Sequence, residues 1–202
     1  MTRNEFSALG EEAFVPQTDT TAAALFILEE LQATERLKLS LGGRLEHTQV
    51  DPDAKGNARF AGADQSNNFT AGSLSSGAVY TLTPIWSLAA TLGYTERAPT
   101  FYELYANGAH VATGTFELGD ANLNKEKAVS SDLALRFDNG THKGSFGVFY
   151  SHFSNYIGLL GTGRTLNDEG EEDPAGIPEY EYSGVRARFA GFEAQDLSLI
   201  HI

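Results

Sequence analysis

The segment from Arg97 to Asp120 gathers the side chains best suited to chemistry. His110, Glu117 and Asp120 would supply one imidazole and two carboxylates, a donor set that suits a divalent ion such as zinc. The plainer alternative is that His110 packs against its own loop or bonds a backbone carbonyl, since carboxylates are expected in an acidic loop. Arg97, Tyr102, Glu103, Tyr105 and Asn107 form a candidate ligand-contact set, in which the tyrosines offer the aromatic surface common at binding mouths. Packing within the loop is the competing role for both tyrosines. Arg97 precedes Pro99, which holds Ala98 extended and suits a chain leaving a strand; locking that strand end is the simplest job for Arg97. His47, with Glu46, Asp51 and Asp53, makes a second acidic edge able to meet a cation. The sequence contains no Gly-x-Ser-x-Gly elbow, phosphate-binding loop or His-Glu-x-x-His helix. Nothing in it marks an enzyme.

These residues need elements to position them, and the hydropathy pattern supplies strands. From Arg36 to Glu46, Leu37, Leu39, Leu41 and Leu45 fall on one face, while Arg36, Lys38, Ser40, Arg44 and Glu46 fall on the other. Trp86, Leu88, Ala90, Leu92 and Tyr94 repeat the pattern, as do Val129, Leu133, Leu135 and Phe137 against Ser130, Asp132 and Arg136. Residues 22–31, 69–82, 145–157 and 182–194 are less regular strands, with a bulge expected near Gly191. About seven strands result, and their connections alternate in length. Residues 32–35, 83–85 and 138–143 make short turns, the last containing Asn-Gly. Residues 50–65, 97–126 and 158–179 make long polar connections, and the chain before Thr20 fits the tail of another. Short turns at one end and long loops at the other are the mark of a membrane β-barrel.

Dimensions agree with that reading. Trp86 and Tyr94 bracket one apolar strand face. At ~3.3 Å per residue they lie about 26 Å apart along the strand, or about 20 Å across the membrane after a ~40° tilt. Trp86 would then sit in an aromatic girdle, an ordinary core anchor being the alternative. The charged inner faces (Arg36, Lys38, Arg44, Glu46, Asp132, Arg136) would carry a heavy desolvation penalty in a dry core. They ask for a wide, wet or plugged lumen, and so for more strands than these.

The 202 residues contain no cysteine, which excludes disulfides and thiolate sites. A formal charge of −13 argues against nucleic acid and leaves room for a cationic or metal-containing ligand, well-solvated loops being the plain alternative. No apolar run reaches the ~20 residues of a transmembrane helix. The first ten residues lack the pattern of a signal peptide, so either the chain is cytosolic or Met1 is not the true start.

The segments Glu96–His110 (ERAPTFYELYANGAH) and Thr113–Ala128 (TGTFELGDANLNKEKA) resemble the most recognisable part of TonB-dependent outer-membrane receptor barrels. The matching residues are Tyr94, Arg97, Ala98, Pro99, Glu103, Leu104, Tyr105, Gly119, Asp120, Leu123 and Glu126, with Asp120 in place of the commoner asparagine. FSNYIG at 153–158 and GFEAQ at 191–195 resemble later strand ends of the family, and residues 106–118 resemble its branch that includes zinc-uptake receptors. The resemblance implies an all-β fold: a partial antiparallel transmembrane barrel, about seven strands of a ~22-stranded one. It implies a site in the bacterial outer membrane and import of a scarce nutrient such as a metal or siderophore complex. The TonB–ExbB–ExbD complex would drive import through a plug that lies outside this stretch. Outer-membrane lipid and a small ligand are the further partners expected. No cofactor is expected, a zinc ion or iron complex being cargo. A passive porin is the alternative, and a soluble β-sandwich a third reading. Residues 1–196 are assigned to the barrel. Residues 197–202 break the strand pattern and resemble a translated sequencing adapter, so they are read as an artefact and His201 as without chemistry.

Overall fold

The computed structural model describes residues 1–7, 13–54, 58–60, 63 and 65–198. Among them the chain forms β1 (Thr2–Phe6), β2 (Gln17–Thr34), β3 (Leu37–Asp53), β4 (Asn67–Thr83), β5 (Trp86–Arg97), α1 (Phe101–Tyr105), β6 (Asn107–His110), β7 (Thr115–Leu118), β8 (Glu126–Asp138), β9 (His142–Leu166) and β10 (Ile177–Ser198). All the strands belong to one sheet, ordered β1-β2-β3-β4-β5-β8-β9-β10-β7-β6. Neighbours pair antiparallel except β7 on β10, which is parallel. The sheet is an unclosed arc, as expected of part of a large barrel. β2, β3, β4, β5, β8, β9 and β10 are its long strands, and the three short ones were not foreseen.

Register gathers the apolar positions of different strands onto one face. Leu25 pairs with Leu45, Ile27 with Gly43, and Gly43 with Leu74. Leu74 pairs with Tyr94, Tyr94 with Val129, and Trp86 with Phe137. Leu133 then meets Val148, and Val148 meets Phe192. This face is strongly exposed, at 81% for Leu25 and 73% for Phe192, which suits lipid contact. The opposite face carries Lys38, Arg44, Glu46, Ser75, Asp132 and Arg136. There Lys38 pairs with Glu30 at 2.9 Å, and Arg44 with Glu46. The expected alternation in 36–46, 86–95 and 129–137 is therefore what the sheet uses. Trp86 lies tilted against Phe137, their ring centroids 4.9 Å apart, near the short-turn end of this face.

Several boundaries differ from expectation. The chain before Thr20 is not only loop: β1 pairs with the start of β2, Thr2 opposite Ala22 and Phe6 opposite Thr18. The 158–179 connection is mostly strand, with only residues 167–176 left between β9 and β10. Above the membrane both strand faces meet water or protein, so the period-two signal fades while backbone pairing continues. No register shift falls at Gly191, which pairs with Phe149; the shifts lie between Pro178 and Tyr180 and between Val185 and Ala187. Gly191 instead makes room, since a Cβ there would stand 2.7 Å from the Phe149 ring. Leu197 and Ser198 continue β10 opposite Lys143 and His142, and residues 199–202 lie outside the described ones.

Candidate functional site

The long connection after β5 folds over the loop end of the sheet. Fully buried Pro99 ends the strand, and Thr100 starts α1 by donating its backbone N–H to Glu103 Oε2 at 2.7 Å. Leu104 and Tyr105 then turn into a small core with Val50, Leu123 and Ile157, flanked by Phe69, Phe101 and Tyr182. Phe101 also stacks on Phe6 of β1 with centroids 4.6 Å apart. Gly119 allows the chain to pass directly over α1, because a Cβ there would stand 2.7 Å from the Leu104 carbonyl carbon and the Tyr105 nitrogen.

Arg97 is the brace under this cover. Its guanidinium donates Nη1 to Glu103 Oε2 at 2.8 Å and Nη2 to Glu103 Oε1 at 3.0 Å. Nη2 also reaches Glu126 Oε2 at 3.2 Å, which in turn accepts the backbone N–H of Ile157 at 3.1 Å. One cation thus ties β5, α1, β8 and β9 together, with Glu103 buried beneath it. Tyr105 is equally committed: its hydroxyl donates to the Gln65 carbonyl at 3.0 Å and accepts from Asn67 Nδ2 at 2.9 Å. Burial pushes its phenol above the ordinary tyrosine range.

The hairpin β6–β7 turns at Gly114, in the left-handed region at φ 65°, with the Thr113 and Gly114 N–H groups on the His110 carbonyl. Its second strand adds to β10, Phe116 opposite Glu179 and Leu118 opposite Glu181. Its first strand is held from the other side, where the Asn107 N–H donates to the Phe14 carbonyl at 2.7 Å and Asn107 Nδ2 to the Arg59 carbonyl at 2.8 Å. His110 stacks on Phe14 at 4.5 Å, and its Nδ1 lies 2.7 Å from Glu117 Oε1. Glu117 is buried and also accepts from Thr113, Thr115 and Tyr182. Burial first, and the Glu117 charge second, raise the Tyr182 phenol above its ordinary range.

The structure brings together only part of the metal set read from sequence. His110 and Glu117 meet, whereas Asp120 accepts from Asn122 N and Nδ2 at 2.8 and 3.2 Å and closes a local turn. Among the described residues no group of three His, Cys, Asp or Glu side chains is placed to hold a metal ion. His47 turns to Thr70 at 3.1 Å, not to its acidic neighbours. Of the ligand-contact set, Arg97, Glu103, Tyr105 and Asn107 spend their polar atoms inside the fold. Tyr102 is the exposed member, packed edge-on to Phe101 and tilted towards Tyr182.

This chain matches the family model described as TonB dependent receptor-like, beta-barrel, over residues 1–199. It belongs to the TonB-dependent receptor β-barrel family. It is accordingly an outer-membrane protein of a Gram-negative bacterium, and the short turns mark the periplasmic end. It is 24% identical over 175 residues to the iron-regulated outer membrane virulence protein of Vibrio cholerae serotype O1, covering 86% of this chain and 24% of that protein. The chain therefore spans about a quarter of the length of the curated relatives it matches. Among solved structures it resembles the copper transporter OprC, with TM-score 0.68 and 19% identity over 89% of this chain and 26% of that one. It also resembles the Serratia marcescens hemophore receptor HasR, solved as a double mutant with its hemophore HasA and heme. That likeness has TM-score 0.65 and 18% identity over 94% of this chain and 33% of HasR. These likenesses are to the barrel fold.

Within the TonB-dependent receptor motif, Arg97, Glu103 and Glu126 prove to be one ion-pair cluster and Gly119 its close-packed crossing. Sequence reasoning did not give Glu126, Asn67, Tyr182 or Phe14 a part in the site. Glu126 was visible as a motif residue. The partners of Phe14 and Tyr182 depend on chain crossings that carry no local pattern.

Proposed function

We propose that this chain is part of the barrel wall and the loop-bearing mouth of an active importer whose cargo is a metal ion or a metal complex. The family match over residues 1–199 carries the reading. It is supported by relatives whose names refer to iron regulation, copper transport and a heme-bearing hemophore. The acidity of the chain, −13 overall, suits a cationic or metal-bearing cargo.

In this reading the work is binding followed by transport, with no covalent chemistry. The braced loops form a rigid mouth, which lowers the ordering cost of ligand capture. Tyr102 offers an exposed aromatic contact, while Arg97, Glu103, Tyr105 and Asn107 hold the mouth in shape. His110 and Glu117 brace the β6–β7 hairpin. Release of cargo through the lumen is driven by the TonB–ExbB–ExbD complex acting on a plug domain.

The test is uptake by cells carrying the full-length receptor under iron, copper or zinc limitation, with and without TonB. Receptor-dependent uptake of one metal or metal complex is expected, lost when TonB is deleted. Uptake that persists at the same rate without TonB would make the protein a passive porin.

A further inference from the structure

We propose that Glu29 pins the register of the barrel at β2, by meeting a cationic side chain on the lipid-facing side of the strand that precedes β2 in the full-length receptor. Pairing places Glu29 within the apolar band. It stands opposite Leu41, which stands opposite Ser76, and that opposite Leu92. The row on its loop side is Ile27, Gly43, Leu74 and Tyr94, and the row on its turn side is Leu31, Leu39, Ala78 and Ala90. In these three rows Glu29 is the only charged side chain. It is exposed and makes no ion pair or hydrogen bond among the described residues. A carboxylate facing lipid is costly without a donor, so one at this depth calls for a partner.

The next carboxylate along the chain shows what such a pair does. Glu30 turns to the lumen face and takes Lys38 of β3 at 2.9 Å, which marks the alignment on one flank of β2. A mark of this kind is needed there. Residues 22–28 (AAALFIL) are apolar on both faces, so a one-residue slip would only exchange one apolar face for another. Hydrophobic alternation cannot align this part of β2, whereas a charge pair can.

The other flank of β2 carries the ladder of β1, with Thr2 opposite Ala22, Arg3 opposite Thr21 and Phe6 opposite Thr18. Antiparallel pairing steps one residue back on β1 for each residue forward on β2. Glu29 lies seven residues beyond Ala22, so the same ladder carried past Thr2 sets opposite it the residue seven positions before Thr2. Directly opposed side chains stand ~5 Å apart at Cβ, within reach of a lysine or arginine head group. Either residue can lay its methylene stem along the apolar band beside Ile27 and Leu31 while its charge meets the carboxylate. Consecutive carboxylates then align β2 on both flanks, Glu30 from the lumen and Glu29 from the lipid side. The device belongs to the barrel wall and is independent of which cargo is imported.

The test measures the folding equilibrium of purified full-length receptor in lipid vesicles, dilute enough that each receptor stands alone and no other protein can supply the cation. With the pair in place, Glu29→Leu strands a cation in lipid, and the folding equilibrium constant should fall by at least about tenfold. Replacing the opposite cation by leucine as well should restore most of that loss. A Glu29→Leu receptor as stable as wild type, or more stable, overturns the proposal, because the carboxylate then faces lipid or a second protein. A further check needs no variant to fold: the full-length sequence should carry lysine or arginine seven positions before Thr2. Any other residue at that position overturns the proposal equally.

Discussion

Arg97 and Glu103 meet fork to fork, Nη1 to Oε2 at 2.8 Å and Nη2 to Oε1 at 3.0 Å, across the junction of strand β5 and helix α1. Removing the cation leaves Glu103 and Glu126 close together, at 7% and 15% side-chain exposure, without a counter-charge. Arg97→Ala should destabilise the loop cover by about 2 kcal/mol. That is less than for a fully buried pair, because 41% of the Arg97 side chain is exposed and screened. Arg97→Lys should recover only part of the loss, since an ammonium cannot reproduce the fork. Hydrogen exchange over residues 98–125 of the full-length receptor reads the effect, with the spanning strands unchanged. Unaltered protection in Arg97→Ala would remove the brace from this account.

Gly119 and Gly114 separate two reasons for glycine. At Gly119 a Cβ would strike α1 backbone, at 2.7 Å from Tyr105 N and 2.8 Å from Ala106 N, and backbone cannot swing aside. Gly119→Ala should therefore cost about 3 kcal/mol and detach the crossing from α1. At Gly114 the space is open and only the positive φ of 65° opposes a side chain, so Gly114→Ala should cost about 1 kcal/mol. Protease sensitivity of the loop in the two variants checks the order. Equal sensitivity would show that the crossing is not close-packed.

The His110–Glu117 pair gives a third expectation. Glu117 already accepts from Thr113, Thr115 and Tyr182, and Asp120 is engaged elsewhere, so among the described residues no third His, Cys, Asp or Glu joins the pair as a zinc site would require. His110→Ala should loosen the β6–β7 hairpin, seen as faster exchange at residues 107–118, and leave zinc affinity of the full-length receptor unchanged. A clear fall in zinc affinity would restore the metal reading of this loop.

Residues 36–46, 86–95 and 129–137 announce their strands because lipid on one side and a wet lumen on the other impose opposite demands on successive residues. Residues 158–166 and 177–181 give no such signal, although they are strand, because above the membrane the two faces no longer differ in solvent. β6 and β7 are four residues each, too short for any period to be read, and their place in the sheet comes from the pairing of β7 with residues 179–181 of β10. Arg97 and Pro99 were legible as a strand end. That Arg97 clasps Glu103 and Glu126 was not, because both residues are equally good ligands on paper.

The sequence by itself determined the strand alternation, the short-turn and long-loop ends, and the motif from Glu96 to Ala128 by which the chain resembles TonB-dependent receptors. All of these are local patterns, written by the solvent each residue meets. Only the tertiary structure decided that His110 stays with Glu117 and Phe14 while Asp120 turns away, and that Tyr182 reaches Glu117 across 65 positions of chain. Only register, likewise, brought Val129, His152 and Arg188 into one outward row. Contacts of that kind follow from how strands far apart in sequence pair and how a loop crosses back. Side-chain type permits many such partners, and the packed backbone selects one.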